Sequence, residues 1–67
     1  MNILILLGKN IIILRKKKHT TQEQLAASCH ISVKYLSQIE SGQANPTIKI
    51  LRKISTSLGL QLYRLFK

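Results

Sequence analysis

Acidic residues are nearly missing from this sequence of 67 residues. It contains no Asp, and its only carboxylate side chains are those of Glu23 and Glu40. The two Glu and two His are too few to build a catalytic pair or a zinc site by themselves. We therefore predict that the protein is not an enzyme, binds no metal and needs no cofactor.

Cysteine is almost as rare. Cys29 is the only one, so no internal disulfide can form, and nothing points to an oxidising compartment. Because Cys29 lies at an apolar position of a predicted helix, we interpret it as a small buried hydrophobe rather than a redox sensor.

Long apolar runs are also missing. Gly8-Lys9-Asn10 divides the apolar start of the chain into runs of five and four residues, whereas a membrane span needs about 20. A secretory signal carries its positive charges before its apolar run, but here Arg15-Lys16-Lys17-Lys18 follow it. These features predict a cytoplasmic protein without a membrane segment.

Positive charge is what the chain has in excess. Eleven Lys and Arg give a formal net charge of +9 and a pI near 10.4. This excess favours a polyanionic partner, either a nucleic acid or an anionic membrane surface. The length predicts one domain over residues 1–67, near the lower limit for a core without disulfides or metal.

Apolar spacing predicts an all-α fold of five helices. Leu7, Ile11 and Leu14 recur at intervals of four and three, which places helix one at about 6–18. The next two helices are predicted over roughly 22–29 and 33–41, the fourth between Thr47 and Gly59, and a short fifth over roughly 61–66.

The second and third helices, within residues 21–41, form the most informative segment. Thr21 and Gln24 have the spacing of a capping box, and Ser32 is a hydroxyl cap before the third helix. The outward side of that helix carries short or hydrogen-bonding side chains: Val33, Lys34, Ser37 and Gln38. In so basic a chain, this pattern indicates a helix that enters the major groove of DNA.

Several motifs along the chain together carry a family resemblance. They are Leu7-Gly8-Lys9-Asn10-Ile11, Leu14-Arg15-Lys16-Lys17-Lys18, Thr21-Gln22-Glu23-Gln24-Leu25-Ala26, Tyr35-Leu36-Ser37-Gln38-Ile39-Glu40-Ser41-Gly42, Asn45-Pro46-Thr47, and the final Leu-Gly-Leu to Leu-Phe. From Leu7 to Lys67 the chain resembles the lambda-repressor-like, Cro/CI-type helix-turn-helix family, often called XRE-like. The resemblance implies a compact five-helix domain that binds a double-stranded DNA operator as a homodimer, with helix three in the major groove.

The resemblance also implies roles for individual residues. Gln22 matches a position that usually contacts a phosphate, and Val33, Lys34, Ser37 and Gln38 match base-reading positions. Ser32 and Tyr35 match frequent backbone contacts, and Gln43 and Asn45 match a loop that touches the sugar-phosphate strand. The chemistry agrees, because Gln pairs with adenine, Lys donates to guanine and Val packs on a thymine methyl.

Arg15 and Glu40 match a structural ion pair of the family. Glu40 lies near the end of helix three, where the helix dipole disfavours an anion, so a cation beside it would offset that cost. The alternative is that Glu40 is merely solvated.

Two features of the sequence depart from the family pattern. His30 stands where the family usually has Gly, in a turn that often needs a positive φ, and we do not interpret it as a metal ligand. The other departure is Ile12 and Ile13, at positions that the family mostly fills with charged residues. Ile5 and Leu6 precede them by seven residues, so the four side chains would form an apolar strip beside the core. On an extended first helix, this strip would contact another protein. A loosely packed or strand-like N-terminus is the alternative.

These observations predict a sequence-specific, dimeric DNA-binding regulator that represses its own operon by occluding the promoter. An antitoxin, a phage or mobile-element repressor and a restriction-modification controller all fit. Two other classes remain. The first is an antitoxin-like subunit that binds a toxin through helix one, with DNA binding secondary. The second is a membrane-active cationic peptide, which the ordered helix caps disfavour.

Overall fold

The structure is a computed structural model that describes residues 2–67. It contains four α-helices and a terminal 3₁₀ helix: α1 (Ile3–Lys17), α2 (Gln22–Cys29), α3 (Val33–Glu40), α4 (Ile48–Ser57) and η1 (Leu62–Phe66). Residues 2–67 include no β-strand. The prediction of an all-α fold is thus confirmed, with the fifth helix wound as a 3₁₀ helix.

Helix α1 begins earlier than predicted, at Ile3 instead of near residue 6. The Asn2 side chain caps it, because Oδ1 accepts a hydrogen bond from the Leu4 N–H at 2.9 Å. The apolar residues before Leu7 are therefore helical, and the alternative of a strand-like N-terminus is wrong for the described residues.

Local caps define where the next three helices begin. The Gln24 N–H donates to Thr21 Oγ1 at 3.0 Å, and the Thr21 N–H donates to Gln24 Oε1 at 2.9 Å, which is the predicted capping box. The hydroxyl oxygens of Ser32 and Thr47 accept from backbone N–H groups of α3 and α4 at 3.0 and 3.2 Å. Each bond satisfies a donor that the helix itself leaves unpaired.

One core is shared by all five helices. Its buried apolar side chains are Leu7, Ile11, Leu14, Leu25, Ala26, Cys29, Leu36, Ile39, Leu51, Ile54, Leu58 and Leu65. Cys29 is completely buried, and this burial raises the pKa of its thiol despite the opposing effects of a hydrogen bond with Ser57 and the charge of Lys53. Cys29 thus has the surroundings of a small hydrophobe.

Gly8 sets the close approach between α1 and the end of α3. A Cβ atom at this position would overlap the carbonyl oxygen of Glu40 and lie 2.7 Å from that of Ile39. These are backbone atoms of a packed helix, so only glycine fits here. Helix α1 therefore crosses α3 directly beside Glu40.

The connections around α2 use left-handed backbone conformations. His30 ends α2 with φ 57° and ψ 39°. The positive φ agrees with the expectation for this turn, where the family usually has Gly. His19, between α1 and α2, also has a positive φ of 54°. Both positions carry local backbone strain that the surrounding packing must offset. Within residues 2–67, no helix combines the length and apolar character needed to cross a lipid bilayer.

Candidate nucleic-acid interface

Helix α3 separates a buried face from an exposed face. Leu36, Ile39 and Glu40 are buried, and Tyr35 packs partly against the core. Successive residues of an α-helix are rotated by about 100°, so the other side chains share the opposite side. That outer face of α3 consists of Val33, Lys34 and Ser37, which are exposed, and Gln38, which is half-buried.

The loop after α3 is fixed to the end of this helix. The backbone N–H groups of Gln43 and Ala44 both donate to the Gln38 carbonyl, at 2.9 and 3.1 Å. The side chains of Gln43 and Asn45 remain exposed. The structure therefore presents the two predicted loop residues next to the outer face of α3.

Ser32 lies at the other end of the outer face. Its hydroxyl oxygen accepts the Tyr35 N–H as the cap of α3, and its own hydrogen stays available to donate. A side chain in this position can cap the helix and contact a phosphate oxygen at the same time.

A buried ion pair lies behind this surface. Arg15 Nε and Nη2 donate to the two carboxylate oxygens of Glu40 at 2.8 and 3.1 Å, and Arg15 Nη1 donates to the Thr20 carbonyl at 3.0 Å. The side chains of Arg15 and Glu40 are only 11% and 4% exposed. The alternative of a solvated Glu40 is therefore wrong, and the bidentate geometry is that of a strong, charge-assisted contact.

Gln22 has a partner that sequence reasoning missed. Its Nε2 donates to Glu40 Oε1 at 2.7 Å. A carboxylate can only accept hydrogen bonds, so the nitrogen end of the Gln22 amide must face it. No spacing or motif relates positions 22 and 40, and only the crossing of the helices brings them together.

Positively charged side chains far outnumber negatively charged ones around these elements. Of the two carboxylates, Glu40 is neutralised by Arg15, and Glu23 is exposed in the first turn of α2. Lys34 on the outer face of α3 and Lys49 in the first turn of α4 are exposed. The resulting field attracts a polyanion and raises the rate of encounter with one.

The apolar strip predicted on α1 is only partly exposed. Ile5 and Ile13 are 45% and 55% exposed, whereas Leu6 and Ile12 are half-buried. Ile5 also contacts the backbone region of Gly42, at the end of α3. The exposed part of the strip is therefore smaller than its sequence pattern indicates.

The exposure of apolar side chains on α4 and η1 was not predicted. Ile48, Tyr63 and Phe66 on α4 and η1 are 60%, 57% and 36% exposed. Ile48 has helical spacing with Leu51, Ile54 and Leu58, which are buried, but the structure turns Ile48 outwards. Spacing alone does not reveal that this end of α4 has no neighbour covering it.

Helices α2 and α3, joined by the tight turn at His30, form a helix-turn-helix unit with an exposed, polar second helix. This arrangement defines the class of helix-turn-helix DNA-binding proteins. The chain belongs to the helix-turn-helix family HTH_3, which matches residues 11–65. It is a DNA-binding transcriptional regulator of the XRE type.

Some relatives of this chain are regulators of similar size, and others are longer: the chain spans 41% of the HTH-type transcriptional regulator SlrR of Bacillus subtilis, to which it is 39% identical over 62 residues. The chain is 40% identical over 55 residues to the uncharacterized HTH-type transcriptional regulator y4dJ of Sinorhizobium fredii, covering 82% of this chain and 71% of that one. It is 38% identical over 61 residues to control protein C.BamHI of Bacillus amyloliquefaciens, with coverages of 90% and 75%. The crystal structure of the restriction-modification controller protein C.AhdI from Aeromonas hydrophila matches with a TM-score of 0.91 at 30% identity, over 94% of this chain and 96% of that one.

Proposed function

We propose that this protein binds a two-fold symmetric DNA operator as a homodimer and represses its own operon. The proposal rests on the outer face of α3. Side chains that can contact bases lie on this face, while the other side of the helix is buried in the core. Placed in the major groove, this helix would bring them to the base edges. A regulator bound over a promoter would then exclude the transcription machinery.

The side chains of this surface divide into two kinds of contact. Gln38 would pair with adenine, Lys34 would donate to guanine, and Val33 would pack on a thymine methyl. The contacts to sugar and phosphate would come from Gln22, Ser32, Tyr35, Gln43 and Asn45. Phosphate contacts set orientation and base contacts set sequence preference, so substitutions in the two groups should have different effects.

The exposure of the apolar side chains Ile48, Tyr63 and Phe66 supports dimerisation. These side chains lie on α4 and η1, which pack against each other. Burial against a second copy would remove their apolar area from water. In a two-fold dimer, the two α3 helices would reach half-sites about 34 Å apart, or one turn of DNA.

A regulatory role is supported by the similarity to two proteins that are named for control. C.BamHI is a control protein, and C.AhdI is a restriction-modification controller. Acting on its own operon, the protein would repress more strongly as its own concentration rises.

The first prediction concerns Gln38. Gln38→Ala should lose about 1–3 kcal/mol of binding free energy on the operator and relax the preference at one base pair. Footprinting on the DNA upstream of the protein's own gene, followed by binding to single-base variants, measures both effects. The matched control is Gln61→Ala, since Gln61 is an exposed amide outside α3.

The same footprint tests the larger proposal. We expect protection of two symmetric half-sites and reduced output from a reporter driven by that promoter. Unchanged affinity and base preference in Gln38→Ala would contradict the proposed docking of α3. A single protected half-site at saturation would contradict the homodimer.

Binding of another protein through α1 is a second candidate function. The exposure of Ile5 and Ile13, together with that of Ile3 at 53%, favours it. Ile3 and Ile13 lie on α1 and Ile5 contacts Gly42 near the predicted DNA-contacting loop, so a toxin-like partner could bind beside DNA or compete with it.

A further inference from the structure

We propose that Glu40 is a positioning residue for DNA binding and acts through Gln22. By holding the Gln22 amide in one orientation, Glu40 would keep an N–H donor ready for a backbone phosphate. This inference rests on the proposed contact between Gln22 and phosphate. It gives the buried ion pair a role in recognition as well as in stability.

Glu40 itself is too buried to touch DNA. Its side chain is 4% exposed, and its carboxylate accepts three hydrogen bonds. Oε2 accepts Arg15 Nε at 2.8 Å, while Oε1 accepts both Arg15 Nη2 at 3.1 Å and Gln22 Nε2 at 2.7 Å. Because Arg15 balances the negative charge, Glu40 can stand behind a phosphate site without repelling the phosphate.

Gln22 is the only one of these three side chains that is half-buried rather than buried. It occupies the first turn of α2, and it can therefore face both the carboxylate and a ligand outside. Its amide nitrogen carries two hydrogens, and the bond to Glu40 uses one of them. The second hydrogen remains for an acceptor such as a phosphate oxygen.

Orientation decides whether the amide attracts or repels a phosphate. The terminal torsion of a glutamine is broad and roughly two-fold, so a free amide presents its oxygen about as readily as its nitrogen. The carboxylate of Glu40 selects the nitrogen end. Folding has therefore already removed the rotamer freedom of the Gln22 side chain. DNA binding does not have to remove it again, which favours binding.

The arrangement also couples the phosphate contact to the base-reading helix. Glu40 is the last residue of α3, and Gln22 is the first residue of α2. Their hydrogen bond, together with Arg15 of α1, joins three helices at one carboxylate. The distance between the phosphate contact and the outer face of α3 is thereby held constant.

A double-mutant comparison tests this inference. Arg15→Met with Glu40→Leu replaces the ion pair by apolar side chains, a change that buried pairs often tolerate, and it leaves the net charge unaltered. The protein with both Arg15→Met and Glu40→Leu is called the Met/Leu variant. Operator affinity is measured by fluorescence anisotropy for the wild type, for Gln22→Ala, for the Met/Leu variant and for the Met/Leu variant that also carries Gln22→Ala. Circular dichroism and thermal melting establish that each variant is folded at the temperature used.

We expect Gln22→Ala to weaken operator binding by about tenfold, the scale of one lost charge-assisted contact. The Met/Leu variant should lose a similar factor, and adding Gln22→Ala to it should cause little further loss. Lys34→Ala is the matched control, because Lys34 is exposed in the first turn of α3, about 9 Å along the helix from Glu40, and its effect should be the same in both backgrounds.

Two results would overturn the inference. One is wild-type affinity in the Met/Leu variant, and the other is an equal loss from Gln22→Ala in both backgrounds. Absence of specific operator binding by the wild type would instead count against the proposed function. If the Met/Leu variant does not fold, the inference is tested in the free wild type by NMR relaxation, which measures the mobility of the Gln22 side-chain NH₂ group. A rigid amide supports the inference, and an amide as mobile as that of exposed Gln61 refutes it.

Discussion

At the scale of single residues, the most consequential feature is one buried charge pair in a very basic chain. Arg15 and Glu40 hold each other, and each would be costly if left alone in the interior. The other basic residues near the end of α1, Lys16 to Lys18, are exposed and can be solvated individually. Side chains of the same charge therefore have different roles a few positions apart.

Arg15→Ala should lower the free energy of unfolding by about 3–5 kcal/mol, because it leaves the Glu40 carboxylate buried without its cation. Lys17→Ala, the matched control on the exposed side, should change it by about 0.5 kcal/mol or less. Urea denaturation followed by circular dichroism measures both. Equal losses would show that the ion pair contributes nothing beyond an ordinary surface charge.

Cys29 should react slowly with thiol reagents in the folded protein. The side chain is completely buried, and burial raises the pKa of the thiol above its ordinary value of 9.0. Colour development with a disulfide reagent near pH 8 should be slow in buffer and fast in urea. Rapid reaction in buffer would contradict this account.

The same pKa shift determines how the free energy of unfolding changes with pH. Because the raised value favours the neutral thiol in the fold, this contribution is fully present below pH 9.0 and is lost as the pH rises through the folded pKa. Cys29→Ala should remove that part of the alkaline loss of stability.

At the scale of elements, the position of α1 on α3 depends on one glycine. Alanine favours helix by about 1 kcal/mol over glycine, so local propensity alone would make Gly8→Ala stabilising. The structure reverses that expectation, since the added methyl would overlap the Glu40 carbonyl.

Gly8→Ala should therefore destabilise the fold by at least about 2 kcal/mol, the scale of an overpacked contact. Lys9→Ala changes the adjacent, exposed residue of the same helix and should be nearly neutral. Thermal melts of the two variants give the comparison. A higher melting temperature for Gly8→Ala than for the wild type would mean that α1 can shift away from α3 at little cost.

At the scale of the whole molecule, separate surfaces carry the candidate functions. The outer face of α3 faces one side, while exposed apolar side chains lie on α1 and on α4 with η1. Since the chain is small, each exposed isoleucine is a substantial fraction of its apolar surface. Substitutions on α1 can therefore separate protein binding from DNA binding.

Ile5→Lys with Ile13→Glu should abolish the proposed protein contact and leave operator affinity intact. The Lys stem can cover the same apolar surface as Ile5, and a Glu at position 13 would lie near Arg64 and Lys17. Light scattering and pull-down from the native host compare this variant with the wild type. The α1 surface has no binding role if both proteins show the same mass and retain the same partners.

Sequence patterns alone determined the local features of this protein. The starts of α2, α3 and α4 follow from Thr21, Ser32 and Thr47, because a cap acts on backbone groups three residues away. The outer face of α3 follows from helical periodicity, and its proposed base contacts follow from the chemistry of its side chains.

Only the tertiary structure decided how these elements meet. The contact between Gln22 and Glu40, the fit of Gly8 against α3 and the outward turn of Ile48 all depend on where distant helices cross. Spacing along a chain reports which side of a helix is apolar, but it carries no information about which neighbour covers that side. Long-range packing supplies that information, and it converts a surface glutamine into part of a buried network.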